Sequence, residues 1–145
     1  IFELFCLNRR IALTILRPGI IYGRDDIRSP FFRFMNNIRL NRDIEIFGDG
    51  STKIFWVHQM DLYQVIKSVI DDSKLGDYNI VSDEKGISLL DLAKFMFKIC
   101  GRRVDIKFNP TEKIPINLNF DTSKFRVCFP EVEFLGLEDG LQDLI

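Results

Sequence analysis

The run Ile11-Ala-Leu-Thr-Ile-Leu-Arg-Pro-Gly-Ile-Ile-Tyr-Gly23 limits this chain more than any other stretch. From Ile11 to Leu16 it shows none of the apolar–polar alternation of a strand with one wet face. Such a run is expected of a strand buried on both faces of a parallel sheet. Sheets of that kind place their chemistry just beyond the carboxyl ends of their strands. Arg17-Pro18-Gly19 falls at such an end, so function is sought there first.

The rest of the chain alternates helical and strand patterns. Ser29-Pro30 supplies an N-cap and a Pro at the first helical position, and Phe31, Phe34, Met35 and Ile38 follow at helical spacing. Ile44–Phe47 and Lys53–His58 read as strands joined by the turn cluster Gly48-Asp-Gly-Ser-Thr52, hence as a β-hairpin. Leu62, Val65, Ile66, Val69 and Ile70 form one stripe of an amphipathic helix. Tyr78–Val81 is a second short buried strand. Ser88 with Asp91 makes a capping box for a helix that Gly101 closes. Val104–Phe108 alternates as a half-exposed strand, Asp121 caps a short helix that Pro130 stops, and Leu137–Ile145 is the last helix. Ile1–Asn8 reads as the end of an apolar helix.

The mixture places the chain in the α/β or α+β class. Two strands suited to a parallel sheet, Ile11–Leu16 and Tyr78–Val81, cannot cover their own faces and edges. The remainder of the sheet is therefore expected from residues outside these 145, and the chain is expected to be a fragment.

Composition narrows the function classes. Hydrophobic residues make up 46% and charged ones 28%, as in a folded globular protein, and a net charge of −1 offers no basic field for nucleic acid or a membrane surface. No apolar run approaches the roughly 20 residues that span a bilayer. Cys6, Cys100 and Cys128 are odd in number and lack metal-ligand spacing, so they are expected as reduced core thiols in a cytoplasmic protein.

Four patches, in order, resemble the carboxyl-terminal half of the extended short-chain dehydrogenase/reductases, the NAD-dependent epimerases and dehydratases. Leu16-Arg-Pro-Gly-Ile-Ile-Tyr-Gly23 is similar to that family's LRPGxxYGP. Phe47-Gly-Asp-Gly50 with Trp56-Val-His-Gln-Met-Asp61 is similar to GDGxxxxxFVHVxD. Tyr78-Asn-Ile-Val-Ser82 with Ile87-Ser-Leu-Leu-Asp-Leu92 resembles YNVGSGxxISLxEL, and Asp121-Thr-Ser-Lys124 with Leu137-Glu-Asp-Gly-Leu141 resembles the family's closing motif. The resemblance implies the carboxyl-terminal part of a Rossmann-like NAD(P)-binding fold plus a small α+β substrate-binding lobe. Residues 1–28 and 58–82 would be the sheet remnant, and 29–57 with 83–145 the lobe.

By the same resemblance the chain is the substrate-binding half of a sugar-nucleotide epimerase, dehydratase or related reductase. NAD or NADP and a nucleotide sugar are the implied ligands, and an amino-terminal Rossmann half and a second copy are the implied partners. The family's Gly-rich loop and its catalytic Tyr-x-x-x-Lys pair are expected in that amino-terminal half, leaving these 145 residues inactive alone. A non-catalytic relative serving as a binding or assembly subunit is the alternative.

The resemblance implies that the turn after this strand lies against the nicotinamide ring, which makes Pro18 the candidate contact; a Pro-Gly turn allows close backbone approach without a competing amide. Gly19, Ile20, Ile21 and Tyr22 would line the substrate cleft. Ile20 stands where many sugar-nucleotide enzymes of the family carry Asn, and Ile54 where they carry Arg. Neither can bond a diphosphate, which points to a less phosphate-dependent substrate or a degenerate site. Lys53, beside Ile54, carries the one nearby charge and is the last substrate-side candidate. His58, the sole histidine, is expected to support a strand-to-helix junction, Asp61 to cap the next helix, Arg17 to form a partly buried ion pair, and Asp25-Asp26 to occupy a loop.

Overall fold

A computed structural model describes residues 11–112 and 118–144. Ile1–Asn8, Cys6 and Ile145 lie outside the described residues. Strand β1 (Thr14–Pro18) runs parallel to β6 (Gly76–Ile80), so the apolar run does enter a parallel sheet. It starts at Thr14 rather than Ile11, and residues 13–16 are only half-buried. Ile11 is 48% exposed. Among the described residues β6 alone pairs with β1, which leaves its other edge without a strand, and no residue of β1 is fully buried within them.

At Gly19 the chain changes partners. The Gly19 amide still donates to Ile80 O (2.9 Å), while the next amide, Ile20, donates to Phe55 O (2.7 Å). From there β2 (Ile20–Tyr22) runs parallel to β5 (Trp56–His58). A Cβ on Gly19 would lie 2.6 Å from Phe55 O, so only glycine permits this crossing.

Helix α1 (Pro30–Arg39) begins as expected, with Ser29 Oγ accepting from the Phe32 amide. It buries Phe31, Phe34, Met35 and Ile38. The hairpin expected after it does not form. Strand β3 (Ile44–Phe47) pairs in parallel with β8 (Ile106–Asn109), and β4 (Lys53–Ile54) pairs antiparallel with β7 (Ile87–Ser88). The glycine loop between them does use left-handed backbone, at Gly48 (φ 85°) and Gly50 (φ 82°). Its carbonyls, however, are taken by another element: Leu90 N donates to Gly50 O and Leu89 N to Thr52 O. The loop therefore seats the amino terminus of α3 (Leu89–Cys100).

Helix α2 (Gln59–Asp72) buries Val65, with Leu62 and Val69 half-buried beneath it, yet Ile66 and Ile70 of the expected stripe face outward. On α3 the capping box is realised: Ser88 Oγ accepts from the Asp91 amide at 3.0 Å and donates to its carboxylate at 2.7 Å. Gly101 closes the helix at φ 60°. Helix α4 (Ser123–Cys128) starts after Thr122, and Asp121 contributes by accepting from Ser123 N. The last helix, α5, is shorter than expected (Leu137–Gln142).

Two apolar cores result. One joins Tyr22, Phe31, Ile46, Trp56, Met96 and Leu141 with their neighbours; the other joins Val57, Val65, Tyr78, Ile80, Phe125 and Phe129. Strand β5 serves both, because its period of two sends Trp56 into the first and Val57 into the second. No helix among the described residues is long and apolar enough to cross a membrane.

Candidate functional site

The carboxyl end of β1 opens onto a cleft of about 370 Å³. Pro18, Gly19, Ile20 and Lys53 line it together with Phe55 and Phe120, whose rings lie 4.8 Å apart. Four of the six residues singled out from the sequence thus converge. Pro18 presents a ring with no N–H, and Gly19 presents bare backbone. Lys53 contributes its aliphatic stem, while its ammonium donates to Lys85 O at 3.0 Å. Ile54 also lines the cleft, so its walls are apolar.

Ile21 and Tyr22 do not take the place expected of them. Ile21 is 45% exposed and does not line the cleft. Tyr22 is buried in the first core, stacked on Phe31 at 4.3 Å and edge-on to His58 at 5.1 Å. Strand alternation accounts for Ile21, whose side chain leaves the face opposite to that of Ile20; Tyr22 shares the face of Ile20 but lies two residues further along the strand, where that face packs into the first core. Burial, with Asp61 and Asp143 nearby, pushes the Tyr22 hydroxyl's pKa upward. Its oxygen has no hydrogen-bond partner among the described residues.

The polar residues around the cleft are structural. His58 caps α2, its Nδ1 accepting from the Met60 amide at 3.3 Å, with Nε2 lying 3.5 Å from Asp143 Oδ2. Asp61 puts its charge in the first turn of α2 as expected, with a backbone hydrogen bond at the N-cap residue His58; it is buried and also accepts from Leu135 N at 3.1 Å, fastening the segment before α5. Burial raises its pKa against the lowering effect of that bond. Arg17 forms the expected ion pair, with Asp77 at 2.6 Å, but on the surface rather than partly buried. Asp26 accepts from the backbone of Arg28 and Ser29 and from Ser29 Oγ, organising the approach to α1. No group of three His, Cys, Asp or Glu among the described residues is placed to hold a metal.

No known family profile matches the chain. Over 101 residues it is 28% identical to dTDP-4-dehydro-6-deoxy-D-allose reductase of Streptomyces bikiniensis, covering 66% of this chain and 31% of the relative. A second relative, adenylate kinase 7 of Macaca fascicularis, is 30% identical over 94 residues, or 65% of this chain and 18% of that protein. Among solved structures, UDP-glucuronic acid 4-epimerase from Bacillus cereus, in complex with UDP-glucuronic acid and NAD, superposes with a TM-score of 0.86 at 24% identity. That match covers 97% of this chain and 46% of the epimerase. The fold is that of the extended short-chain dehydrogenase/reductases. The chain spans under half of the epimerase's length and about a third of the reductase's.

The Tyr-x-x-x-Lys spacing expected only outside these 145 residues also occurs within them. Tyr63 does carry a lysine four residues on, Lys67. The pair lies on the outer face of α2, where Tyr63 is exposed and Lys67 binds Asp71 at 2.8 Å. Neither residue lines the Pro18 cleft. A Tyr–Lys spacing alone therefore does not place such a pair at this cleft. The cleft's aromatic pair was missed from sequence because Phe120 reaches Phe55 from a distant, irregular segment without periodicity.

Proposed function

We propose that this chain is the substrate-binding half of an NAD(P)-dependent epimerase, dehydratase or related reductase. The observation that carries the reading is the convergence of Pro18, Gly19 and Ile20 on one cleft at the carboxyl end of β1, within a fold that matches such an epimerase over 97% of this chain. Residues 1–28 and 58–82 would form the sheet side, and 29–57 with 83–145 the substrate lobe. A Gly-rich loop and a catalytic Tyr–Lys pair would come from an amino-terminal half outside these 145 residues, in a cytoplasmic protein that also pairs with a second copy.

The cleft fits a nicotinamide ring, since Pro18 offers an apolar surface with no amide to compete for the ring's own groups. When bound, that group accepts or returns a hydride at the substrate's carbinol carbon. Pro18 and Gly19 would support the ring's face by van der Waals contact. Ile20, Ile54 and Phe55 would keep water from the reacting carbon, which strengthens any electrostatic contact made there. With the Lys53 ammonium on Lys85 O and apolar side chains at 20 and 54, the cleft suits a substrate that depends little on a diphosphate. A nucleotide sugar of the kind that the epimerase binds would need its phosphates met by residues beyond these.

The second reading is a non-catalytic binding or assembly subunit. The apolar Ile20 and Ile54 in the cleft favour it, since neither can bond a substrate's phosphates. One pair of titrations separates the two. The 145-residue chain is expected to show no saturable NAD or NADP binding by calorimetry. The product of the whole gene is expected to bind one of them and to reduce or epimerise a carbonyl substrate. Saturable binding by the 145 residues would contradict the reliance on an amino-terminal half. A whole-gene product that takes up neither cofactor would leave the binding-subunit reading standing.

A further inference from the structure

The backbone of the Pro18 cleft turns anions away as firmly as its side chains do. Pro18 has no N–H, the Gly19 amide is spent on Ile80 O and the Ile20 amide on Phe55 O, so the strand end offers no free donor. Lys53 is the one charged residue lining the cleft among the described residues, and its ammonium is held on Lys85 O at 3.0 Å. A phosphate or carboxylate entering here would shed water with no amide of the strand end to replace it.

What the cleft offers instead is open apolar surface. Phe55 and Phe120 form a tilted ring pair, 4.8 Å between centroids at 42°, and Leu118 beside them is 53% exposed. Phe120 belongs to neither of the two cores. It is fastened at the cleft by the residues that follow it. Glu84 accepts from Thr122 N at 2.7 Å and from Thr122 Oγ1, and Asn79 Nδ2 donates to Asp121 O at 3.0 Å. A phenyl ring is thus held against the carboxyl end of β1 without serving a core.

We propose that this cleft takes an uncharged substrate with a compact apolar ring body, and that Phe120 determines this specificity. The proposal rests on the dehydrogenase reading above and names the substrate class of the same site. The ring body lies on Phe55, Phe120 and Leu118, with its carbonyl or carbinol carbon toward Pro18. Its affinity comes from apolar area removed from water and from ring-on-ring contact. The volume of about 370 Å³ sits at the small end of ligand pockets, roughly 300–1,000 Å³, as a molecule of one or two rings requires.

Acetonaphthone, a neutral two-ring ketone, is the probe, titrated by calorimetry into the whole-gene product without cofactor. Saturable binding is expected below about 1 mM. Naphthoate, the same ring body carrying a charge, should bind about ten-fold or more weakly, and UDP should not displace the ketone. Phe120→Ala is expected to weaken acetonaphthone about five-fold or more, and Phe120→Leu, which keeps an apolar side chain, to recover most of that loss. Both variants should keep the parent's thermal midpoint, since Phe120 lies outside the cores. No saturable heat up to about 1 mM, displacement by UDP, or undiminished binding by Phe120→Ala would overturn the proposal.

Turnover tests the dehydrogenase reading separately. With NADH or NADPH present, acetonaphthone should be reduced to its secondary alcohol, a hydride passing to the carbonyl carbon and a solvent proton to its oxygen while the cofactor is oxidised. Binding without turnover would sink that reading and leave the ligand class standing. Cofactor uptake without acetonaphthone binding would sink the ligand class alone.

Discussion

Tyr22 and Gly140 are matched to each other inside the first core. A Cβ at position 140 would fall 2.1 Å from the Tyr22 hydroxyl and 3.1 Å from its ring carbon. Tyr22 cannot give way, being buried and stacked on Phe31. Gly140→Ala is therefore expected to cost about 1–3 kcal/mol in urea unfolding, as overpacking does. Tyr22→Phe removes an unpartnered oxygen and should leave stability within about 1 kcal/mol of the parent. Combined, the two substitutions should lose less than the sum, because the oxygen clash disappears and the ring contact remains. Strict additivity would show that the two positions do not meet.

Two carboxylates respond to pH in opposite directions. Hydrogen bonds from Arg17 and Lys124 hold the exposed Asp77 carboxyl down at about 2. Its contribution is therefore present above the ordinary 3.8 and fades as pH falls toward 2. Burial raises Asp61, so the folded state keeps that proton to higher pH than the unfolded chain does. The Asp61 charge thus weighs against folding once pH rises through its folded value, and the penalty vanishes below 3.8. Asp77→Asn should flatten the acid limb of the stability profile. Asp61→Asn keeps an acceptor for Leu135 N, so its thermal midpoint should rise near pH 7 and match the parent at about pH 3. A midpoint that falls near neutrality would refute the assignment for Asp61.

Local chemistry decided which elements could be read beforehand. Ser29-Pro30 and Ser88 with Asp91 mark helix starts because each cap bonds a backbone amide a few residues along. Gly48 and Gly50 marked left-handed backbone for the same local reason, yet the pairing on either side of them was misread. Strands β3 and β4 bond to partners far along the chain, and turn chemistry carries no information about those. Helix α2 shows the same limit. Its stripe is helical throughout, but only Val65, Leu62 and Val69 meet a core within the described residues. Val65→Ala is expected to cost about 1–3 kcal/mol, while Ile70→Gln should stay within about 0.5 kcal/mol in this chain. A large loss from Ile70→Gln in chemical denaturation would mean that its face is covered.

At the scale of the molecule, the position of the candidate cleft was legible and its composition was not. Pro18 and Gly19 followed from one apolar run ending in a turn, which the strand-end rule points to directly. Adjacency in sequence was taken as adjacency in the cleft: alternation turns Ile21 to the other face, and by Tyr22 the strand has entered the first core. Phe120 reaches the cleft from a segment brought to it only by tertiary structure. The two cores are likewise invisible in the pattern until β5 is placed between them.

The ladders also dictate when order can arise. Thr14 joins Gly76 and Ile44 joins Ile106, so neither β1 nor β3 gains a partner until long stretches of intervening chain have been gathered in. Loop closure must be met before those pairs return anything, which slows assembly. Between the emergence of β1 from the ribosome and that of β6, an apolar strand waits for this partner, and a chaperone would find its natural handhold there.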